Sequence, residues 1–358
     1  MGKRIVIMAG GTGGHVFPAL AVAQLLMEKG WQVSWLGTRK GLESRVIPEN
    51  GIEIDWLSVA GVRGKGLTAK ISAVFMLFRA CVQALSILRR RKPDVVLGMG
   101  GFVAGPGGLT AKLLGIPLII HEQNRVPGTT NRLLARLANQ VLEAFPGSFS
   151  EQTKAKCTGN PLRKRFVTAL ENGHKLPGNE VRLLIVGGSQ GAQILNETVP
   201  EAIAEFQKSA SATQAVQIRH QTGAAMLLRV ESRYQVLAIQ AETKAFIEDM
   251  AAAYQWADLV ICRAGAMTVS EVAAMGVPAI FIPLPGAIDD HQTANARYLT
   301  DAGAGLLLRQ NDLNPATLAK QITKALEQLN SMSIAARDRA RLDATAAVAD
   351  YCIAGAKL

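Results

Sequence analysis

Gly10-Gly11-Thr12-Gly13-Gly14-His15 sets four glycines, a threonine and an imidazole between a β-branched apolar run, residues 5–8, and a helix-compatible stretch, 18–29. Glycines in such a turn let the backbone approach a phosphate, and the following helix start adds N–H donors and a partial positive charge. Two further loops have the same character: Gly98-Met99-Gly100-Gly101-Phe102-Val103-Ala104-Gly105-Pro106 and Gly187-Gly188-Ser189-Gln190-Gly191. One glycine-rich turn can be tight packing alone; three in similar settings point to nucleotide or diphosphate binding. The dinucleotide fingerprint is not met, because Val16 occupies the third glycine position. Thr38-Arg39 stands where an acidic residue would hold a ribose, which leaves NADP only a small opening, and the Walker pattern is absent.

The elements that must position these loops are repeated. Residues 6–14 are echoed by 184–191, Asp94–Gly101 by Asp258–Gly265, and Gly115–Ile120 by Gly276–Phe281, in the same order. Each unit runs from a short apolar strand through glycines into a helix, the βα unit of a parallel, doubly wound sheet. Further strands are expected at 33–36, 52–57 and 140–142. Ligands of such sheets bind at the carboxyl ends of the strands, so two halves facing across a cleft would bring the loops together. The expected division is 1–163, 164–338 and a helix within 339–358 that packs back on the first half.

The 358 residues fit two domains, and a mean hydropathy of +0.17 excludes a disordered chain. Cys81, Cys157, Cys262 and Cys352 match no metal spacing; without CxxC or a secretory signal, a reducing cytoplasm is the expectation. Residues 1–165 carry 23 Lys/Arg against 9 Asp/Glu, net +14, whereas residues 166–358 carry 16 against 19, net −3. One half therefore suits an anionic partner.

Within that half, residues 71–88 form the most apolar helix candidate, with Arg79 and Gln83 interrupting it, so it is not a transmembrane span. Ile71, Val74, Phe75, Phe78, Val82 and Leu85 make one stripe, and Ala73, Met76, Leu77, Ala80, Ala84 and Ile87 a second. A surface helix needs one stripe to cover its domain. The other is either buried under a neighbouring loop or presented to lipid. Arg63, Lys65 and Lys70 precede the stretch and Arg89, Arg90, Arg91 and Lys92 follow it, a pattern suited to anionic bilayers. Nucleic acid is disfavoured, since no Tyr or Trp is interleaved for base stacking.

At these loops the chain resembles the MurG family, bacterial UDP-GlcNAc transferases that convert lipid I to lipid II. The matching segments are GGTGGHVFPALA (10–21), GMGGFVAGPGG (98–108), HEQN (121–124), GNPLR (159–163), GGSQGA (187–192), FIEDM (246–250), CRAGAMTVSE (262–271) and DDHQTANA (289–296). They occur in family order along nearly the whole chain. The resemblance implies a GT-B fold of two Rossmann-like domains, inverting transfer in peptidoglycan synthesis, no cofactor and no metal ligand set. It places the protein at the cytoplasmic face of the plasma membrane and makes cell-wall synthesis and division proteins candidate partners. The chain has no DxD motif, and the Asp289-Asp290 pair has no companion ligands in sequence.

Carried over position by position, the resemblance puts Thr12, Gly13 and Gly14 at the donor sugar and diphosphate, with Asn124 beside the sugar. Arg163 and Ser189 would face the phosphates, and Ile247 would contact uracil through its backbone. Ala266, Met267, Thr268, Val269, Ser270 and Glu271 would form the loop and helix start beneath the nucleotide, Glu271 accepting the ribose hydroxyls. Gln292 and Asn295 would reach the GlcNAc hydroxyls, and Gly100, Gly101 and Phe102 the acceptor. Ala104, where many relatives carry a hydroxyl, and His291, in a segment where a second Gln is common, depart from the pattern.

Inverting transfer needs a base for the acceptor hydroxyl. His15 is the first candidate, because it sits at the glycine loop, with hydrogen bonding to acceptor or phosphate as its alternative role. Glu122 is the second. His121 follows an apolar strand and can be structural; His174 and His220 lie in no motif and are expected at the surface. Two other function classes fit the loops: another enzyme on the same fold, such as a UDP-sugar epimerase, and a non-catalytic nucleotide-binding or membrane scaffold.

Overall fold

A computed structural model describes residues 2–59, 67–171, 180–188, 191–208 and 215–356, without the side chains of 67–73, 170, 171 and 288. The chain forms two compact units, Met1–Arg163 with Arg341–Leu358, and Lys164–Ala340. The first contains β1 (Arg4–Met8), β2 (Gln32–Gly37), β3 (Glu53–Trp56), β4 (Val95–Gly98), β5 (Leu118–Glu122), β6 (Gln140–Glu143) and β7 (Lys156–Cys157). These pair in the order β3-β2-β1-β4-β5-β6-β7, parallel throughout. The second contains β8 (Glu180–Val186), β9 (Ala215–Gln221), β10 (Glu242–Lys244), β11 (Leu259–Cys262), β12 (Ala279–Phe281) and β13 (Gly305–Leu307). Their order, β10-β9-β8-β11-β12-β13, is the same doubly wound pattern, again parallel.

The strands read as apolar runs because helices cover both faces. On β1, Ile5 and Ile7 enter one core with Val16, Ala19 and Val22 of the helix Gly13–Glu28 and with Val348, Ala349 and Cys352 of the helix Ala344–Gly355. Val6 and Met8 enter the opposite core with Ala84, Ile87 and Leu88 of the helix Leu67–Arg91 and Ala104 and Ala111 of the helix Ala104–Leu113. In the second unit Leu183 and Ile185 pack on Leu195 and Val199 from the helix Gln193–Lys208 and on Leu318 and Ile322 from Pro315–Leu326.

The internal echo has a structural cause at Asp94 and Asp258. Asp94 Oδ2 accepts the backbone N–H of Arg4 at 2.7 Å, and Asp258 Oδ2 that of Arg182 at 2.9 Å. Each aspartate satisfies the donor at the start of the neighbouring central strand, an N–H that would otherwise lie unpaired in a part-buried setting. Each sheet reverses its winding between those two strands, β1/β4 and β8/β11, and the glycine loops leave from their carboxyl ends.

His220 corrects the surface expectation. It lies on β9, buried, with Nδ1 3.0 Å from the Tyr234 hydroxyl and Nε2 3.0 Å from Asn196 Oδ1. Burial lowers its pKa to about 3 and that of His121 to about 4. Below about pH 6.5 the unfolded chain takes protons that these folded rings refuse. Stability present above pH 6.5 is therefore expected to fall on acidification toward pH 4, by about 1.4 kcal/mol per histidine per pH unit within that window. Urea midpoints at pH 7, 5.5 and 4.5 check this, and a His220→Gln variant should show a shallower pH dependence. His174 lies outside the described residues.

Candidate active site

At the first reversal, two glycine loops interlock. Gly101 has φ +79°, and a Cβ there would stand 2.4 Å from the Gly10 carbonyl oxygen. Gly100 has φ +94°, and a Cβ there would stand 2.7 Å from His15 Nδ1. Glycine is thus required twice over at both positions, by left-handed backbone and by close approach. His15, in the first turn of the helix Gly13–Glu28, lies against the second loop, its Nδ1 2.8 Å from Gln123 Oε1. Thr12 and Phe102 are exposed beside it, and Gly13 and Gly14 supply the first helical N–H groups.

The first loop is held from below by Glu43, a residue sequence reasoning passes over. Its buried carboxylate accepts from Gly11 N at 2.9 Å, Thr38 N at 2.9 Å and Thr38 Oγ1 at 2.7 Å. Glu122 is likewise committed. One oxygen accepts from the backbone N and side-chain Nδ2 of Asn124, at 2.9 and 3.2 Å; the other accepts from Gly128 N at 3.1 Å and Asn131 Nδ2 at 2.9 Å. It is buried and organises the 124–128 loop. The Arg163 guanidinium lies over the Phe17 ring, 5.1 Å from its centroid.

At the second reversal, the helix Ala266–Met275 begins directly after β11, with Gly265 in extended conformation at its N-cap. Ala266, Met267 and Thr268 contribute first-turn N–H groups, the kind of helix end that suits an anion. Ser270 is partly exposed; Val269 is fully buried and packs into the core; Glu271 lies in the second turn, nearly buried. Ser189 lies outside the described residues.

Gln221 at the end of β9 joins the segments flanking this end. Its Nε2 donates to the Gly188 carbonyl at 2.8 Å, and its Oε1 accepts the Ile247 N–H at 2.9 Å. The Ile247 N–H is therefore engaged within the protein. Asn295 is fully buried and donates to the Ala264 carbonyl at 3.2 Å. Gln292, partly exposed, accepts from Leu284 N at 2.9 Å and Ala264 N at 3.3 Å, which leaves its NH₂ to donate. Asp289 and Asp290 take left-handed turn conformations, and Asp290 Oδ1 accepts from Thr293 Oγ1 at 2.7 Å. Among the described residues no group of three His, Cys, Asp or Glu is gathered as for a metal ion.

Two doubly wound halves with glycine loops and helix ends at each reversal make up the GT-B fold. Residues 5–143 match the glycosyltransferase family 28 N-terminal domain and residues 182–350 its C-terminal domain, and the chain belongs to that family. It is 60% identical over 99% of both chains to the UDP-N-acetylglucosamine–N-acetylmuramyl-(pentapeptide) pyrophosphoryl-undecaprenol N-acetylglucosamine transferase of Methylococcus capsulatus. A Shewanella protein of the same name is 49% identical, over 99% of this chain and 98% of its own. The crystal structure of Acinetobacter baumannii MurG superposes with a TM-score of 0.83 at 43% identity, covering 98% of this chain and 99% of that one. A UDP-N-acetylglucosamine 2-epimerase shares the fold at 14% identity and a TM-score of 0.63, over 97% of this chain and 95% of its own.

Proposed function

We propose that the chain moves GlcNAc from UDP-GlcNAc to the 4-hydroxyl of the MurNAc in lipid I, giving lipid II, with inversion at C1. The observation that carries this is full-length, 60% identity to a relative whose name states both the transferred group and the acceptor. His15 Nε2 takes the hydroxyl proton as that oxygen attacks C1. The C1–O bond breaks with its electron pair passing to the β-phosphate oxygen of departing UDP. The helix start at Ala266–Thr268 and the Arg163 guanidinium would receive the diphosphate charge, Glu271 the ribose hydroxyls and the Gln292 NH₂ a sugar hydroxyl. Asn124, its amide turned to Glu122, borders the sugar side. Incubation with UDP-GlcNAc and a short-chain lipid I analogue should release UDP only when the acceptor is present. UDP release or epimerised sugar without acceptor would refute this reading, and no turnover at all would favour a scaffold.

We further propose that the first unit docks on the cytoplasmic face of the plasma membrane as a peripheral protein. On the helix Leu67–Arg91 the stripe Val74, Phe75, Phe78 and Val82 is exposed, Phe75 to 74%, while Ala80, Ala84 and Ile87 are buried. Leu109 and Leu113 of the neighbouring helix are exposed as well, and Thr110 of that helix reaches the Cys81 carbonyl at 3.4 Å. Among the described residues no helix is long and apolar enough to cross a membrane. An exposed apolar stripe on a strongly basic half suits the surface of an anionic bilayer. Arg90 and Arg91, however, are ion-paired with Asp55 and Glu53, so the apolar stripe is the cleaner target. Phe75→Ser with Phe78→Ser is expected to weaken binding to phosphatidylglycerol-containing vesicles at least tenfold, since two aromatic burials are worth roughly 3 kcal/mol or more. Unchanged sedimentation with vesicles would remove the stripe from that role.

A further inference from the structure

We infer that Gln123 is a positioning residue which locks His15 as the Nδ1–H tautomer, so that Nε2 carries the lone pair. The catalytic meaning of this rests on His15 being the base; the tautomer itself does not.

The assignment follows from a hydrogen-bond chain whose direction is set at one end. The Gly159 carbonyl oxygen, 2.9 Å from His121 Nε2, only accepts. His121 Nε2 therefore bears hydrogen. The ring is fully buried, and burial favours its neutral form, which leaves Nδ1 bare. That bare nitrogen lies 3.1 Å from Gln123 Nε2, which also stands 3.2 Å from the His121 carbonyl oxygen. Both neighbours demand a donor, so the Gln123 NH₂ faces them and its oxygen faces the other way. Gln123 Oε1, 2.8 Å from His15 Nδ1, then requires a hydrogen on that nitrogen.

The surroundings leave the ring little freedom to break this arrangement. Gly100 lies against the His15 ring beside Nδ1 and Cε1, with space for no Cβ. The Gln123 backbone is itself fixed, its carbonyl accepting Asn160 Nδ2 at 3.1 Å. Gln123 is hydrogen-bonded to two titratable groups, His15 and His121; the Glu122 oxygens are turned to Asn124, Gly128 and Asn131. A neutral amide thus fills the orienting place that a carboxylate holds in Ser-His-Asp triads. It selects the tautomer without placing a second negative charge next to a site that must take a diphosphate.

The test reads the tautomer directly. In full-length protein labelled with ¹⁵N-histidine, long-range ¹⁵N–¹H spectra should show His15, assigned by its loss in His15→Asn, with protonated Nδ1 and bare Nε2. Gln123→Met, which keeps the length but removes the oxygen, should abolish that signature. It should also lower kcat by ~10²-fold, as expected for a misoriented reacting group, with the donor KM within threefold. Restoring an oxygen in Gln123→Glu should recover the Nδ1–H signature. Should that carboxylate fail to fold opposite the His121 carbonyl, the Gln123→Met spectrum still decides. An Nε2–H tautomer in the native protein, or a tautomer unmoved in Gln123→Met, overturns the inference. If the tautomer is as stated but His15→Ala keeps its kcat, the base assignment fails and the positioning assignment stands.

Discussion

Replacing His15 with alanine is expected to lower kcat by ~10²–10⁴-fold, the contribution of a positioned general base, while donor KM changes little. Three features of its setting drive the expectation. The imidazole starts a helix at the carboxyl end of β1, lies against Gly100 and is oriented by Gln123. The rival carboxylate, Glu122, already accepts four N–H donors, and removing a proton from a substrate would disrupt the loop it holds. Glu122→Gln should therefore act chiefly through stability of the 124–128 loop. Steady-state kinetics on a soluble lipid I analogue decides between the two. A loss confined to acceptor KM in His15→Ala would make His15 a binding residue.

Replacing Glu271 with alanine is expected to raise the UDP-GlcNAc KM about 10- to 150-fold and to leave acceptor KM nearly unchanged. That range is the free energy of hydrogen bonds to a charged group, about 1.5–3 kcal/mol. The carboxylate lies in the second turn of the helix whose first turn suits an anion, and it is nearly buried. Ribose hydroxyls are its natural partners because a carboxylate accepts two bonds at once. Competition by UDP and by 2′-deoxy-UDP separates binding from folding. The native enzyme should prefer UDP and Glu271→Ala should not, whereas equal preference in both would refute the ribose role.

The alternation of buried strands and glycine turns made the doubly wound halves readable, because fully covered parallel strands leave continuous apolar runs. The Asp94 and Asp258 echo was readable as repetition, though its cause, a backbone donor at the start of the adjacent strand, was not. What escaped were side chains tying distant segments together. Glu43 reaches Gly11 across 32 residues and Gln221 reaches Gly188 across 33, with no periodicity to announce either. Gln123 sat between two residues that drew attention first. Asn295 and Glu122 occupy motif positions, and their ties to neighbouring loops are visible only in burial and bond partners. His220 looked unremarkable in sequence because it lies on a strand and its partners, Asn196 and Tyr234, come from two separate helices.

The helix Ala344–Gly355 places Val348, Ala349 and Cys352 in the core beneath β1. During synthesis, the first unit's strands are made well before the helix Ala344–Gly355, and its core stays open until that helix has left the ribosome. The half whose sheet is made first is thus completed only after the residues of the second unit have been made, and until then it lacks one covering helix. A stop codon near residue 340 would spare every loop discussed above and still leave the first unit without one of its walls.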